Sequence, residues 1–427
     1  MRVLFYRMNC GFNGVTTWMA DLGTGLKERG VDVSYWFGGG TPDRAEPFEA
    51  IGHTRIGPVA ELLAVLEREE YDVVHCATGD RWSLALTLPK MKAKLVATNH
   101  GSVSRVFNSG NCHALTAVSQ DMVTLEQPYT DLAVDFIYNG IDIDRFSIPE
   151  RFDIEAPIIA WAGRAKDIKQ KDFAKFTRVA ALLKAKGFRI WVADGSGGTP
   201  EEFRGEGYAA LEYDRWSRLT MAEIPEFYRA VAASGGAVLM TSRYEALGLV
   251  ALEAAAAGAP TIGTDVLGLR EAIRPEYGTT FPQSMPDDEV ARLVVSWLEA
   301  HPASVAQSQA RAEAVAAEFS VPMMTERYLA VYRRPSPLIV TRKASLPDPL
   351  PSGAREWIDA AATPTERHRL LWPDIARELA ENGERSLAMR AARMAVRHDP
   401  AVFGRPRDLL HLGTSVAKGI VGGRATS

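Results

Sequence analysis

The sequence predicts an α/β protein: two doubly wound parallel-sheet domains in tandem, followed by a helical extension. Three observations carry this. Short apolar runs alternate with helix-patterned stretches twice over, first across residues 2–138 and again across 157–274, and such alternation means crossovers and a parallel sheet. The charged stretch PERFDIEAP (149–157), bracketed by Pro149 and Pro157, separates the two series and reads as a linker. The Pro-rich PSPLIVTRKASLPDPLPSG (335–353) then precedes an Ala-rich helical pattern. Domains are therefore expected at 1–150 and 151–334, a second linker at 335–353 and the extension at 354–427.

Residues 2–7, RVLFYR, form the first expected strand, apolar through its middle as a strand covered on both faces must be. The loop NCGFNGVTT follows, with Gly11 and Gly14, then a helix over Thr17–Arg29 stopped by Gly30, then the strand VDVSYWF. Glycines thus stand where a strand turns into a helix. A full GxGxxG is missing, and Phe37 with three glycines stands where a ribose-binding acid would follow the second strand, which weakens a nicotinamide-binding reading. Helix Val59–Glu69, strand 72–77, a helix near Arg81–Leu88, strands 94–100 and 113–119, helix Gln120–Gln127 and strand Asp135–Tyr138 complete the first series. Ligands of such sheets bind beyond the carboxyl ends of the strands, where Asn13, Gly14, Thr78, Gly79 and His100 fall.

The second series runs through strand 157–163, helix Asp172–Lys186, strand 189–197, helix Ile224–Ser234, strands 236–242 and Thr261–Thr264, and helix Gly268–Arg274. Residues 286–334 are mostly helical in pattern, and the last helix, VPMMTERYLAVYRR, is expected to tie the domains together. In the extension, Arg367–Glu381 and Arg385–His398 read as a helical hairpin broken at Asn382-Gly383, in the manner of a single tetratricopeptide-like unit.

Composition narrows the function. At 427 residues, 46% hydrophobic and 24% charged, the chain is that of a multidomain globular protein. A net charge of −4 argues against a nucleic-acid binder working by bulk electrostatics. No apolar run reaches the roughly 18 residues of a membrane span, and the N-terminus has no signal-peptide layout. Cys10, Cys76 and Cys112 form no paired arrangement, so packing roles and a reducing, cytoplasmic setting are expected. Residues 341–427 carry 14 basic and 10 acidic side chains, a mildly basic tail on an acidic body. The basic-apolar LPKMKAKL (88–95) would suit peripheral contact with an anionic membrane, though three lysines are equally normal on a solvated face.

The most informative stretch is SRYEALGLVALEAAAAGAPTIGT (242–264). A strand ends in Thr241-Ser242, a loop carries Glu245 and Gly248, and a helix bearing Glu253 closes on Gly258 and Pro260. A helix N-terminus presents free N–H groups and partial positive charge to an anion. Two carboxylates flanking an anion site suit a ligand that is phosphate at one end and hydroxyl-rich at the other, as a nucleotide sugar is.

With EALGLVALEAAAAGAP in view, the chain resembles the family-four retaining glycosyltransferases, which have the GT-B fold. The likeness extends over about 330 residues through Asn13-Gly14, YNGID (138–142), GR…K..D (163–172) and ADGSG (193–197). It implies that Arg164 and Lys169 bind the donor diphosphate and stabilise it as it leaves. It further implies that the backbone N–H groups of Leu249 and Val250, following Gly248, add the helix-terminus contribution. Glu253 would accept from the ribose hydroxyls, Glu245 would contact the transferred sugar, and His100 would lie near the reacting centre. Gly14 would let backbone approach the diphosphate, with Asn13 and Gly195 also lining the donor site. No metal and no cofactor are expected: Asp142-Ile-Asp144 matches a DxD only in form, and Asp142 suits an Asx turn. The chain departs from the family at Lys169-Gln170, where Lys-Gly is usual, and at Ala246-Leu247, where Gly or Phe is common.

The expected reaction is retaining transfer of a sugar from a nucleoside-diphosphate donor, UDP first, to a hydroxyl of a glycan, lipid-linked or small-molecule acceptor. An epimerase or phosphorylase of the same fold and a non-catalytic scaffold working through its helical tail are the competing readings; intact Glu245, Glu253, Arg164 and Lys169 speak against the scaffold. The tail is expected to contact a partner protein or the body of the chain itself. As surface charges, Arg164 and Lys169 would instead pair with Asp167 and Asp172.

Overall fold

The structure, a computed structural model, describes residues 1–11, 13–78, 82–101, 107–153, 156–196, 211–217, 219–220, 222–335, 337–340 and 344–398; of 359–371, 397 and 398 the backbone alone is described. Gly79, the 197–210 segment and the chain beyond 398 lie outside the described residues.

The first sheet has seven strands: β1 (Arg2–Arg7), β2 (Asp32–Phe37), β3 (His53–Ile56), β4 (Val73–Ala77), β5 (Lys94–Asn99), β6 (Ala114–Ala117) and β7 (Val134–Phe136), in the order β3-β2-β1-β4-β5-β6-β7. The second has six: β8 (Ile158–Gly163), β9 (Arg189–Asp194), β10 (Asp214–Ser217), β11 (Ala237–Met240), β12 (Thr261–Thr264) and β13 (Gly278–Phe281), in the order β10-β9-β8-β11-β12-β13. Every pairing is parallel. Each sheet therefore reverses direction once, between β1 and β4 in the first and between β8 and β11 in the second, and ligands of doubly wound sheets gather at such switch points.

Three strands that apolar patterning does not announce, β3, β10 and β13, are all sheet edges. An edge strand pairs on one side and meets more solvent, so it needs no continuous apolar run; HTRI and DRWS are largely exposed. The helix expected near 81–88 is a short 3-10 turn, Ser83–Thr87, and that expected at 268–274 spans only Leu269–Ala272.

The helix Val321–Arg333 returns to the first domain, as its sequence suggests. Its Met324, Tyr328, Leu329 and Tyr332 share an apolar core with Phe5, Trp18 and Tyr35. A buried polar thread runs through that core. Tyr332 OH and His75 Nδ1 are 2.6 Å apart, His75 Nε2 meets Thr98 Oγ1 at 2.7 Å, and Thr98 reaches Thr116 at 2.6 Å. Burial pushes the His75 pKa down to about 3, so the ring is neutral and acts as a pin.

The Pro-rich stretch is not loose. Ala133 N–H donates to Leu338 O (3.0 Å) and Val340 N–H to Asp131 O (2.8 Å) on the first domain; Leu267 N–H donates to Ser352 O (2.9 Å) on the second. The hairpin does form, but its first helix is longer than the sequence pattern implies: Ala354–Glu381, 28 residues, then a turn at Asn382-Gly383, then Arg385–His398. It packs on the body of the chain. Trp357, Ile358, Trp372 and Leu379 join one continuous core with Leu84 of the first domain and Leu247 of the second.

In the 88–95 stretch, Leu88 and Leu95 are buried, and the Lys94 ammonium holds the Tyr332 carbonyl at 2.7 Å, leaving Lys90 and Lys92 on the surface. Among the described residues no helix is long and apolar enough to cross a membrane. All three cysteines are buried and free.

Candidate functional site

The loops after β1, β8 and β11 leave from the two switch points, and they carry most of the residues singled out in the sequence. After β1, Asn13 caps the helix Gly14–Glu28: its Oδ1 accepts from Val15 N–H (3.1 Å) and Thr16 N–H (3.4 Å), while its own N–H donates to Thr16 Oγ1 (2.9 Å). The Asn13 side chain is thus engaged in capping. Gly14 lies against the other domain, for a Cβ added there would stand 3.2 Å from Leu249 Cδ1.

Leu249 opens the helix Leu249–Ala256. Gly248, before it, is left-handed (φ 97°, ψ 58°), which favours glycine, and an added Cβ would come within 2.6 Å of Leu269 Cδ2, so that leucine would have to shift. No side chain caps this helix and its first turn holds no acid. The N–H groups of Leu249 and Val250 therefore bring unneutralised partial positive charge to the place where Gly14 begins a second helix, likewise free of acids in its first turn.

Glu253 follows one turn into the helix. Burial raises its pKa to about 7; a hydrogen bond from Tyr228 and the nearby Arg145 oppose the rise, and Asp21 adds to it. Arg145 is ion-paired with Asp21 of the first-domain helix and with Asp142 at 3.2 Å. Asp21, one oxygen of which is buried without a partner among the described residues, is pushed up to about 6 by burial. Asp142 forms the expected Asx turn, accepting from Asp144 N–H at 3.2 Å.

Glu245 is caged. Its Oε1 accepts from Lys171 Nζ at 2.5 Å and Ser242 Oγ at 2.6 Å, and its Oε2 from Gln170 Nε2 at 3.2 Å. The Lys171 and Glu245 side chains are 14% and 8% exposed. Arg164, 48% exposed, pairs with Asp167 at 2.5 Å. Gly195 borders it: Gly195 N–H donates to Gly163 O at 2.8 Å, and an added Cβ would lie 3.7 Å from Arg164 Cγ. Lys169 is exposed and has no ion-pair partner among the described residues. His100, beyond β5, packs on Trp18 with ring centroids 4.3 Å apart. Its Nε2 is buried without a hydrogen-bond partner among the described residues. Burial, then Arg7 and His75, hold its pKa well below the usual imidazole range, so it is neutral.

Lys171, Arg145, Asp21 and Tyr228 are not among the residues that the sequence points to, and Gln170 stands out there only as a departure from the usual Lys-Gly. Lys171 follows that departure directly. Arg145 lies three residues beyond NGID. For Tyr228 and Asp21 the sequence holds no sign, since only the packing of helices carries them to Glu253 and Arg145. Among the described residues no group of His, Cys, Asp or Glu is arranged to hold a metal ion.

Residues 12–145 match the family described as Glycosyltransferase Family 4, and residues 214–314 match Glycosyl transferases group 1. A D-inositol 3-phosphate glycosyltransferase of Mycobacterium avium is 31% identical over 301 residues, covering 62% of this chain and 70% of its own. The chain belongs to the family-four glycosyltransferases. The fold agrees. Anabaena HepE, solved in complex with UDP-glucose, superposes with a TM-score of 0.61 at 15% identity over 77% of this chain and 98% of its own. A sucrose-phosphate synthase of Thermosynechococcus elongatus gives 0.59 at 16% identity, over 78% of this chain and 98% of its own. This is a GT-B glycosyltransferase.

Proposed function

We propose that this glycosyltransferase moves a hexose from a nucleoside-diphosphate donor, UDP first among them, to a hydroxyl group, with retention at the anomeric carbon. The observation that carries the donor reading is the uncapped start of helix Leu249–Ala256, which meets Gly14 at the start of a first-domain helix, with Glu253 one turn away. A diphosphate placed there meets the N–H groups of Leu249 and Val250, and its ribose hydroxyls come within reach of the Glu253 carboxylate. That a UDP-glucose complex is known for the similarly folded HepE supports the choice of UDP.

In this reading Arg164 exchanges Asp167 for the diphosphate, and exposed Lys169 adds a second cation. Charge grows on the diphosphate as the glycosidic bond breaks, and fixed cations with helix termini stabilise that charge without a metal. The neutral His100 offers its unpartnered Nε2 to a sugar hydroxyl, and Glu245, held by Lys171, reads another. The acceptor hydroxyl attacks from the face the diphosphate leaves, and a departing phosphate oxygen takes its proton.

Lys169→Ala is expected to lower turnover by on the order of a hundredfold or more; unchanged turnover would remove Lys169 from the mechanism. Excess EDTA should leave turnover as it was. A thermal-shift screen of nucleotide sugars should stabilise the chain by ~2.7 kcal/mol at a hundredfold excess over Kd, and no stabilisation by any nucleotide or nucleotide sugar would sink the donor reading.

A further inference from the structure

The extension lies beyond the residues either family matches, which end at 314, yet it touches the loop that carries Glu245. Arg243–Leu247 leaves β11 and is held on one flank by the 170–172 turn: Arg243 N–H donates to Gln170 O (2.7 Å) and Arg243 Nε to Asp172 Oδ2 (3.1 Å). The other flank is laced to the end of the linker and the first turn of the extension. Glu245 N–H donates to Leu267 O (2.9 Å), and Leu267 N–H donates in turn to Ser352 O (2.9 Å). Gly353, left-handed at φ 81°, sits so close that a Cβ would fall 2.3 Å from Arg243 O and 3.2 Å from Tyr244 Cβ. One turn on, Trp357 meets the Tyr244 ring edge-on at 6.2 Å and is 2% exposed. Its Nε1 is buried without an acceptor among the described residues, and what it offers the loop is the packing of its ring. The far end is anchored on the first domain, where Arg390 donates to Leu88 O at 2.6 Å and pairs with Glu67 at 2.6 Å.

We propose that the extension is a working part of the sugar side of the cleft: braced on the first domain, it holds the Arg243–Leu247 loop from behind and sets where the Glu245 carboxylate stands, with Trp357 as a positioning residue. This rests on the transferase reading through the role of Glu245. A carboxylate caged by three donors discriminates between sugar hydroxyls only if its backbone does not wander. Ser242, Gln170 and Lys171 fix the side chain; Ser352, Gly353 and Trp357 fix the loop.

The test uses full-length Trp357→Ala, Trp357→Phe and Gly353→Ala. Amide hydrogen exchange at 243–247 is read beside kcat and donor KM with a nucleotide sugar, and beside the Kd of UDP alone. In Trp357→Ala, exchange at 243–247 should rise at least tenfold and kcat should fall at least tenfold, while UDP affinity stays within about twofold. Trp357→Phe should restore most of both, and Gly353→Ala should reproduce the defect. Wild-type exchange and kcat in Trp357→Ala and Gly353→Ala would overturn the proposal. So would a loss of UDP affinity in step with kcat, shared by Trp357→Phe, because that marks collapse of the whole domain. The exchange measurement needs no activity: a chain that transfers no sugar would end the transferase reading and still report whether the extension holds the loop.

Discussion

Glu245 and Glu253 are eight positions apart and live under opposite electrostatics. Glu245 gains a lysine, an amide and a hydroxyl, so its charge is compensated where it is buried. Glu253 faces Arg145, Asp21 and the Tyr228 hydroxyl, and burial dominates, lifting it from an ordinary 4.5 to about 7. A carboxyl raised by folding binds more protons in the folded chain than in the unfolded one between those two values. Stability without ligand is therefore expected to fall as pH climbs from about 5 to about 8, with Asp21, raised to about 6, contributing in the same direction at the lower end. Glu253→Gln should flatten the upper part of that slope, changing the pH 8 stability by about 1–3 kcal/mol. Melting temperatures across pH 5–8 measure it, and an unaltered slope would place Glu253 in solvent.

Among the elements, the helix Leu249–Ala256 is decided by one residue. Gly248 must adopt φ 97° to turn the chain from the Glu245 loop into the helix, and it has Leu269 in the space a side chain would need. Gly30 makes a useful comparison: φ is 73°, but nothing lies within 4 Å of its added Cβ. Gly30→Ala should cost only the backbone penalty of roughly 1–2 kcal/mol. Gly248→Ala should cost that and the overpacking besides, about 2–5 kcal/mol in all, and should also weaken UDP binding by moving the helix start. Denaturant unfolding with UDP titration separates the two, and equal costs would mean that Leu269 yields freely. Interior strands such as β1 and β4 are legible in sequence because both faces are covered, and their residues must then be apolar without alternation. The edges β3, β10 and β13 carry no such demand and pass for loops.

At the scale of the whole molecule, the first domain is completed by residues from the far end of the chain. Tyr332 and Tyr328 reach into the core beneath β4 and β5, where His75 and Thr98 have no water to turn to. Tyr332→Phe leaves His75 Nδ1 buried and unpaired, and is expected to destabilise the first domain by about 1–3 kcal/mol. Faster exchange of β4 and β5 amides, with second-domain strands unaffected, would register it; no change would mean that another group takes up the imidazole. The same long-range logic governs the extension, which reads in sequence as an unattached helical hairpin behind a Pro-rich tether. In the fold, that tether is stitched to Asp131 and Ala133 on one domain and to Leu267 on the other. Local pattern reports that a segment is a helix and cannot report which surface accepts it.

By itself, the sequence determined two series of strands alternating with helices, hence two parallel sheets, and many of the turns between them. Strand and helix periodicities are local, and a glycine between them marks a turn wherever it falls in the fold. It also marked the Glu245–Glu253 stretch as a candidate anion site between two acids, because a helix start and its flanking residues are contiguous. Tertiary structure alone decided that Lys171, two positions beyond the lysine the family pattern selects, is the one that meets Glu245. It alone brought Asp21 and Arg145 toward Glu253, set Gly14 against Leu249, and carried residues 352–357 behind the loop that bears Glu245. These are contacts between residues some 70 to 235 positions apart, fixed by how the surfaces pack and written in no neighbouring residue.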